Sequence, residues 1–565
     1  MHTKLRHILI FGAIVGTLSC ADEPSGPTSR ERGPPPDVKY SLTAGNYLRS
    51  QIENAPNGAT ITLDSPVYTL DAPINITNKD DLTIVGLTAS KVIQTTSNFQ
   101  GVGVFHIGSD VHRLTIHRMT IRGTEPDNLN LTAIYTIASP YPQNISALTF
   151  QELTIENLGQ GIAISGNPAV AGCDNVTMFG NKLTNINARV EKVPDDPPNQ
   201  ADSVWSTTGS GYGLQTSDCT RVRIANNHLE QTDRHAIYVG HGPGPVTIEH
   251  NLMLNHFMGE SSCGYRTFPL VDPFDCVQLT PLHIARTNNV YAAFNIIANP
   301  YTHAIGIHQN TDVSPAQPAT GIQLIGNIVV GRRSGHKDIH LGNPETHDVW
   351  GNRYYKRGTV GPILTPEIAC EVGACSESSL RSPSGQWANT QWIDSYEGDG
   401  TSIPGFVIVR KGDQLHKLGK AYGTLPDSWT YATGSASHTW TNFHPWGLTS
   451  GMKNAFPISA DRLAITYPTK TAGWWVTTSP GDWSGVEAMT YLNGYVYLVK
   501  GGTLLQVNDS NFSIANSYSG WGGTQALFAA RGWLYLFIND CLYRIDPVSL
   551  TNAPTSTMNG PNCWT

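Results

Sequence analysis

Apolar residues along this chain fall into short alternating runs, and the runs recur in one local frame. VTMFGNKL, VRIANNHL, VTIEHNLM, VYAAFNII, IQLIGNIV and the looser HDVWGNRY each carry an asparagine with apolar residues five and three positions before it. A further apolar residue follows two positions after, Tyr354 in the last case. The asparagines are Asn181, Asn227, Asn251, Asn295, Asn327 and Asn352. Three upstream segments, LTIVGL from Leu82, LTIHRMTI from Leu114 and LTFQELTI from Leu148, keep the apolar spacing without the asparagine. Alternation of this kind predicts half-buried strands, and an asparagine at a bend can stack on its equivalents one coil above and below. The frames lie 24 to 46 residues apart, so each coil adds a set of strands and tolerates insertions. The pattern predicts an all-β chain built on a parallel β-helix.

Ahead of the first coil, TAGNYLRSQIENA from Thr43 to Ala55 is amphipathic and predicts a helix that shields the open edge of the rod. This opening, with the coils that follow, resembles the pectate-lyase-like right-handed parallel β-helix proteins of the polysaccharide lyase superfamily, over roughly Tyr40 to Gly358. The resemblance implies the fold and a long grooved face suited to a polymer; a fold by itself does not name an activity.

A second repeat follows. NGYVYLVKGGTLLQVN from Asn493 and RGWLYLFINDCLYRID from Arg531 align at a period of 38, and WSGVEAM from Trp483 and WGGTQAL from Trp521 keep that offset. Looser copies start at Gly405 and Asp461. Each copy predicts a hairpin, and four of them predict a small β-propeller. The hairpins and Trp-Gly pairs resemble tectonin-like propellers, which implies sugar binding; tryptophans filling blade cores would look the same. The expected division is residues 1–20 signal peptide, 21–39 linker, 40–358 β-helix, 359–404 linker and 405–565 propeller.

Composition narrows the partners. The net charge of −8 comes without a sustained basic stripe, which argues against nucleic acid. Met1 to Cys20 has a basic start and an apolar run from Ile8 to Leu18 too short to span a bilayer. It predicts export, and its ending, GTLSC, resembles a bacterial lipobox with Cys20 as the lipidated residue. The expectation is an outer-membrane or cell-surface lipoprotein, otherwise a secreted protein, monomeric and touching membrane only through its lipid. Eight further cysteines suit an oxidising compartment. Pairing of neighbours gives Cys173–Cys219, Cys263–Cys276, Cys370–Cys375 and Cys541–Cys563. No Cys/His spacing suggests zinc, so no metal ligands are assigned. Asp195, Asp196 and Asp202 could hold calcium or form a solvated acidic loop.

Histidines crowd one stretch. Aligning DRHAIYVGH (from Asp233), FDCVQLTP (from Phe274), THAIGIHQ (from Thr302) and HKDIHLG (from His336) stacks His235 with Asp275, His303 and Lys337. It also stacks Tyr238 with Gln278, Gly306 and His340. The longest insertions, about 188–210, 257–274 and 311–320, flank these coils and could wall a cleft. Arg234, His235, Tyr238 and His241 form the expected catalytic cluster; Gln278, His303, His308, Lys337 and His340 are the expected substrate contacts. Cleaving a uronate polymer by β-elimination needs a group that neutralises the carboxylate, a base for the C5 proton and an acid for the leaving oxygen. Arg234, His235 or His241, and Tyr238 supply these types, with an acidic polysaccharide as the expected partner. Other readings stay open. His235 shares parity with Ile237 and Val239 and could be a hydrogen-bonded corner histidine. A glycoside hydrolase would use two carboxylates from Asp233, Asp272, Asp275, Asp312 and Asp338. A C5-epimerase needs nearly the same residues as a lyase, and a glycan-binding adhesin needs no catalysis.

Overall fold

The computed structural model describes residues 37–551. It leaves out 124–130, 137–143, 167–171, 187–188, 193–204, 209–210, 256–279, 301, 310–317, 333–335, 343–344, 357–362, 364, 371–378 and 382–389. Also left out are 399–403, 412–413, 420–429, 432–446, 450–453, 460–461, 469–473, 481–485, 531 and 539–540. Strands Arg189–Lys192 and Trp205–Thr208, and those from Thr390 to Pro480, are described by their backbone. Cys20, the signal segment, Cys263–Cys276, Gln278 and the three candidate calcium ligands lie outside the described residues.

Three parallel sheets of 13, 10 and 10 strands wrap one core, and the chain visits them in turn. This is a right-handed parallel β-helix. Inward residues stack by type from coil to coil: Ile237 pairs with Leu282, Leu282 with Ile305, and Ile305 with Ile339. All four are fully buried, which is how a rod without a globular centre removes apolar surface from water.

The asparagine frame falls at the turn between the first and second sheets. The residue before each asparagine has a left-handed backbone: Gly180, Asn226, His250, Phe294, Gly326 and Gly351, with φ from 55° to 67°. That bend turns each asparagine inward, and all six are buried. Each of the first five donates from Nδ2 to the Oδ1 of the next at 2.9–3.0 Å. Its second amide proton goes to a carbonyl of the coil before, as from Asn227 to Met178. Buried amides so partnered stabilise the turn, whereas one lacking its neighbour would cost the full desolvation of its polar atoms. At the two upstream turns after Arg118 and Glu152, Met119 and Leu153 take the inward position, and Leu153 N–H donates to Asn181 Oδ1 at 3.0 Å.

The helix runs from Asp37 to Glu53, starting within the stretch expected to be linker. Leu48 and Ile52 seal the first coil. At Gly45 the helix comes so near the strand Val67–Leu70 that a Cβ would lie 1.9 Å from the Thr69 carbonyl oxygen. The rod also outlasts its expected end at residue 358. Ile368–Cys370 and Leu380–Arg381 extend the third and first sheets by a further coil. Thr390–Gly398, also within the expected linker, pairs antiparallel with Pro404–Lys411.

The C-terminal region is a set of small, mainly antiparallel sheets, and each of the four repeat copies forms a hairpin. Its last sheet (Thr524–Ala530, Trp533–Ile538 and Cys541–Ile545) is buried on both faces. One face carries Ala526, Phe528, Ala530, Tyr535, Phe537 and Leu542, which pack on Leu252, Leu254, Ala298, Ile328, Val330 and Tyr355 of the rod's second sheet. At Gly331 a Cβ would lie 2.7 Å from the Phe537 ring, so glycine permits the close approach. The other face joins Trp521 in a separate core with Tyr497 and Leu504. Trp521 therefore serves as core filling, while Trp483 lies outside the described residues. The Cys173–Cys219 disulfide joins paired positions of adjacent coils. Cys370 and Cys541 are disulfide-bonded too, and their expected partners, Cys375 and Cys563, lie outside the described residues.

Candidate active site

The outward residues of the third sheet form a row, one residue per coil. From Gln215 it runs through Tyr238, His283, Gly306 and His340. Tyr238, Gly306 and His340 share a row as the sequence predicts. The row position after Tyr238 belongs to His283, on the strand Leu282–Ala285; Gln278, expected there, lies outside the described residues. A usable signal was present. Leu214, Leu282 and Ile339 each stand thirteen residues before the ladder asparagine of their own coil, a spacing that the FDCVQL stretch does not satisfy.

His283 joins what the sequence reading kept as two clusters. Its ring stacks on Tyr238 at 5.2 Å and on His308 at 4.6 Å, and lies 4.4 Å from His235. His308 continues to His340 at 4.7 Å, with Nε2 and Nδ1 3.2 Å apart, and His340 stacks on His303 at 5.2 Å. Gly306 makes room for this array: a side chain there would meet Thr280 Oγ1 at 2.7 Å and His308 Nε2 at 2.8 Å.

Tyr212, which the sequence reading did not single out, completes the front of the site. Its ring lies 5.0 Å from His235, 5.5 Å edge-on from Tyr238, and 5.0 Å beneath the Arg234 guanidinium. Tyr212, Arg234 and Tyr238 are half-buried, whereas His235, His283, His303, His308 and His340 are buried. The geometry thus sets a cation and two phenols in front of a buried imidazole array.

His235 occupies the coil corner foreseen in the structural reading, with Nδ1 2.7 Å from the Thr280 carbonyl oxygen. A carbonyl only accepts, so Nδ1 carries the proton and Nε2 keeps its lone pair. His303 Nδ1 faces both backbone groups of Lys337, 2.7 Å from its amide nitrogen and 3.1 Å from its carbonyl oxygen. Lys337 itself is ion-paired through Nζ to Glu367 at 3.1 Å, inside a network with Arg332, Asp338 and Lys356. Asp338 is thereby held by Arg332, away from the role of a free carboxylate. His241 sits at the turn leaving the third sheet with φ 59°, beside Asp218. No ring contact among the described residues joins it to the cluster.

Burial sets the charges. It pushes the His303 imidazole down to about 4 and that of His340 to about 2, and holds His283 well below the usual range, each reinforced by neighbouring cations or imidazoles. These rings are neutral at pH 7. Burial also raises the Tyr212 phenol, with Arg234 opposing the shift.

A comparison with curated proteins finds no match. The family model described as a right-handed β-helix region matches residues 72–266. Among solved structures, the chain is similar to the Myxococcus xanthus glutaminyl cyclase (17% identity over 26% of this chain, TM-score 0.20), of whose length it spans 64%. It is similar to a tailspike protein mutant of the E. coli bacteriophage HK620 in complex with a pentasaccharide (12% identity, 61% of this chain and 60% of that one, TM-score 0.30). A third likeness is to the alginate lyase from Paenibacillus sp. strain FPU-7 (14% identity, 55% and 93%, TM-score 0.23).

Proposed function

We propose that this protein is a carbohydrate-active enzyme of the pectate-lyase-like kind that cleaves a uronate-containing polysaccharide by β-elimination at the outer face of the third sheet. The observation that carries the reading is the front of the cluster: Arg234 over Tyr212, beside Tyr238 and a His235 whose tautomer the Thr280 carbonyl sets. Arg234 pairs with the substrate carboxylate and stabilises the negative charge that builds when the C5 proton leaves. His235 Nε2 takes that proton. The electron pair forms the C4=C5 double bond, the C4–O4 bond breaks, and Tyr238 donates its proton to the departing oxygen. His283, His303 and His340, held neutral and weakly basic, suit the walls of the site better than the base. The C-terminal hairpins are read as a small propeller, and the chain as an exported, Cys20-anchored monomer that meets its polymer near the cell surface.

The test is to incubate the chain lacking residues 1–20 with a panel of acidic polysaccharides and follow the ultraviolet absorbance of the unsaturated product. The expected result is a rise with one polymer that Tyr238→Phe and His235→Ala abolish. New reducing ends with no absorbance would sink the elimination reading and move the chemistry to carboxylates. Fractionating cells and labelling the lipid, with Cys20→Ala as control, tests the anchor.

A further inference from the structure

The row that carries Tyr238 does not stop at the cluster. Toward the rod's N-terminal end it continues through Gln215, Ala163, Tyr135, His106 and Asn75. Tyr135 stacks on His106 at 4.9 Å, and His106 Nδ1 lies 2.8 Å from Asn75 Oδ1. Alongside, Thr132 donates to Gln160 Oε1 at 3.2 Å, and Gln160 donates to Gln215 Oε1 at 2.6 Å. This relay of amides ends at Gln215 Nε2, which has no partner among the described residues, one coil from Tyr238. Asn75 is exposed, Thr132 is buried and the other side chains are half-buried, at the surface of the rod.

The chemistry of the strip is uniform. It holds an aromatic pair for a sugar face and amides for hydroxyl groups, and burial lowers the His106 imidazole. From Asn75 to Gln215 the row itself has no lysine, arginine or carboxylate; at its end Asn75 Nδ2 donates to Glu53 Oε1 at 3.1 Å. Three arginines of the same coils are committed elsewhere, Arg118 to Glu152, Arg122 to Glu156 and Arg221 to Asp174. Coils repeat at about 4.8 Å, close to the length of one sugar, so a chain lying along the rod sets successive sugars over successive coils. A homopolyuronate would bring a carboxylate to every coil of a strip whose row, among the described residues, offers no cation to receive it. An anion desolvated without a partner is unfavourable.

Resting on the elimination reading, we propose that the strip Asn75, His106, Tyr135, Gln160 and Gln215 is a run of subsites that favours uncharged sugars and disfavours a carboxylate on every coil. The substrate is then a heteropolymer whose carboxylates are spaced by neutral residues, with one uronate at Arg234.

The test measures kcat/KM on two probes of matched length: hyaluronan, a strict alternation of uronate and N-acetylated hexosamine, and polygalacturonate, a homopolyuronate. Unsaturated product is read by absorbance and binding by calorimetry. The expected result is preference for the alternating chain by about tenfold or more, the size of one lost polar or charged contact. Tyr135→Ala should erase the advantage of long over short chains, and Gln215→Lys should shift the preference toward the homopolymer. Equal or faster elimination on the homopolymer would overturn the strip while sparing the elimination reading. No unsaturated product from any polymer would refute elimination, and binding would then decide. Homopolymer binding as tight as the alternating chain's, untouched by Gln215→Lys, overturns the strip.

Discussion

Over the same coils, two outer faces of this rod are built from opposite materials. On the second sheet one outward row changes from Lys182 and His228 to Leu252, Ile296 and Ile328. The row beside it changes from Thr184 and Glu230 to Leu254, Ala298 and Val330. The apolar half of that face is where the C-terminal sheet packs. On the third sheet the outward row over these coils is tyrosine, histidine, glycine and histidine. The inward rows behind both faces are alike, all aliphatic or nearly so. What a coil is for is therefore written in its outward residues; the core only makes the coil.

The sharpest way to separate the two faces is to cut each one singly. Tyr238→Phe should lower turnover about 10²–10⁴-fold, the usual loss for a positioned proton donor, with thermal unfolding unchanged. A matching loss of melting temperature would make the tyrosine structural. Phe537→Ala should do the reverse, costing about 3–5 kcal/mol in denaturant unfolding while kcat at low temperature holds. Removing residues 405–565 altogether should bare the six apolar rod residues and drive association, measured by light scattering; a soluble, monomeric truncated rod would contradict the interface.

Acid offers a subtler probe. His303 and His347 titrate at about 4 in the folded protein, chiefly through burial, against about 6.5 when unfolded. Over that window the unfolded chain binds more protons, so stability is full above about pH 6.5 and falls as the pH drops toward 4. Thermal melts across this range should show the fall, and a flat profile would count against neutral burial of these rings. The smallest effect is expected at His347, which is fully buried with neither ring nitrogen hydrogen-bonded among the described residues. His347→Leu should raise stability by about 1 kcal/mol, the cost of an unpartnered buried polar group, and flatten the acid limb. A loss instead would mean that the imidazole is needed there.

Much of this was legible in the chain, for particular reasons. The six asparagines announced their ladder because the turn tolerates few alternatives: a left-handed residue, then an inward amide. The parity of Tyr238 and His340 followed from strict alternation. His283 was missed in favour of Gln278 because FDCVQL, apolar and β-branched, competes with LHIA for the strand. Propensity does not choose between them, whereas distance to the ladder asparagine does. The interface had a signal of its own. LML, IIA and IVV after the ladder asparagines are unbroken apolar runs, unlike KLT and HLE upstream, and unbroken runs mark strands covered on both faces. Tyr212 was hidden because it precedes its strand, where alternation says nothing.

The asparagine ladder also changes what length means in this molecule. Successive ladder residues are 46, 24, 44, 32 and 25 positions apart in sequence. Their amides meet at nearly one distance throughout. Coils, and not residues, are thus the unit in which the groove is ruled. A segment added between two rungs alters what stands over the outer face and leaves the pitch of the coils beneath it untouched. Such a rod can be re-roofed by insertion without being re-gauged.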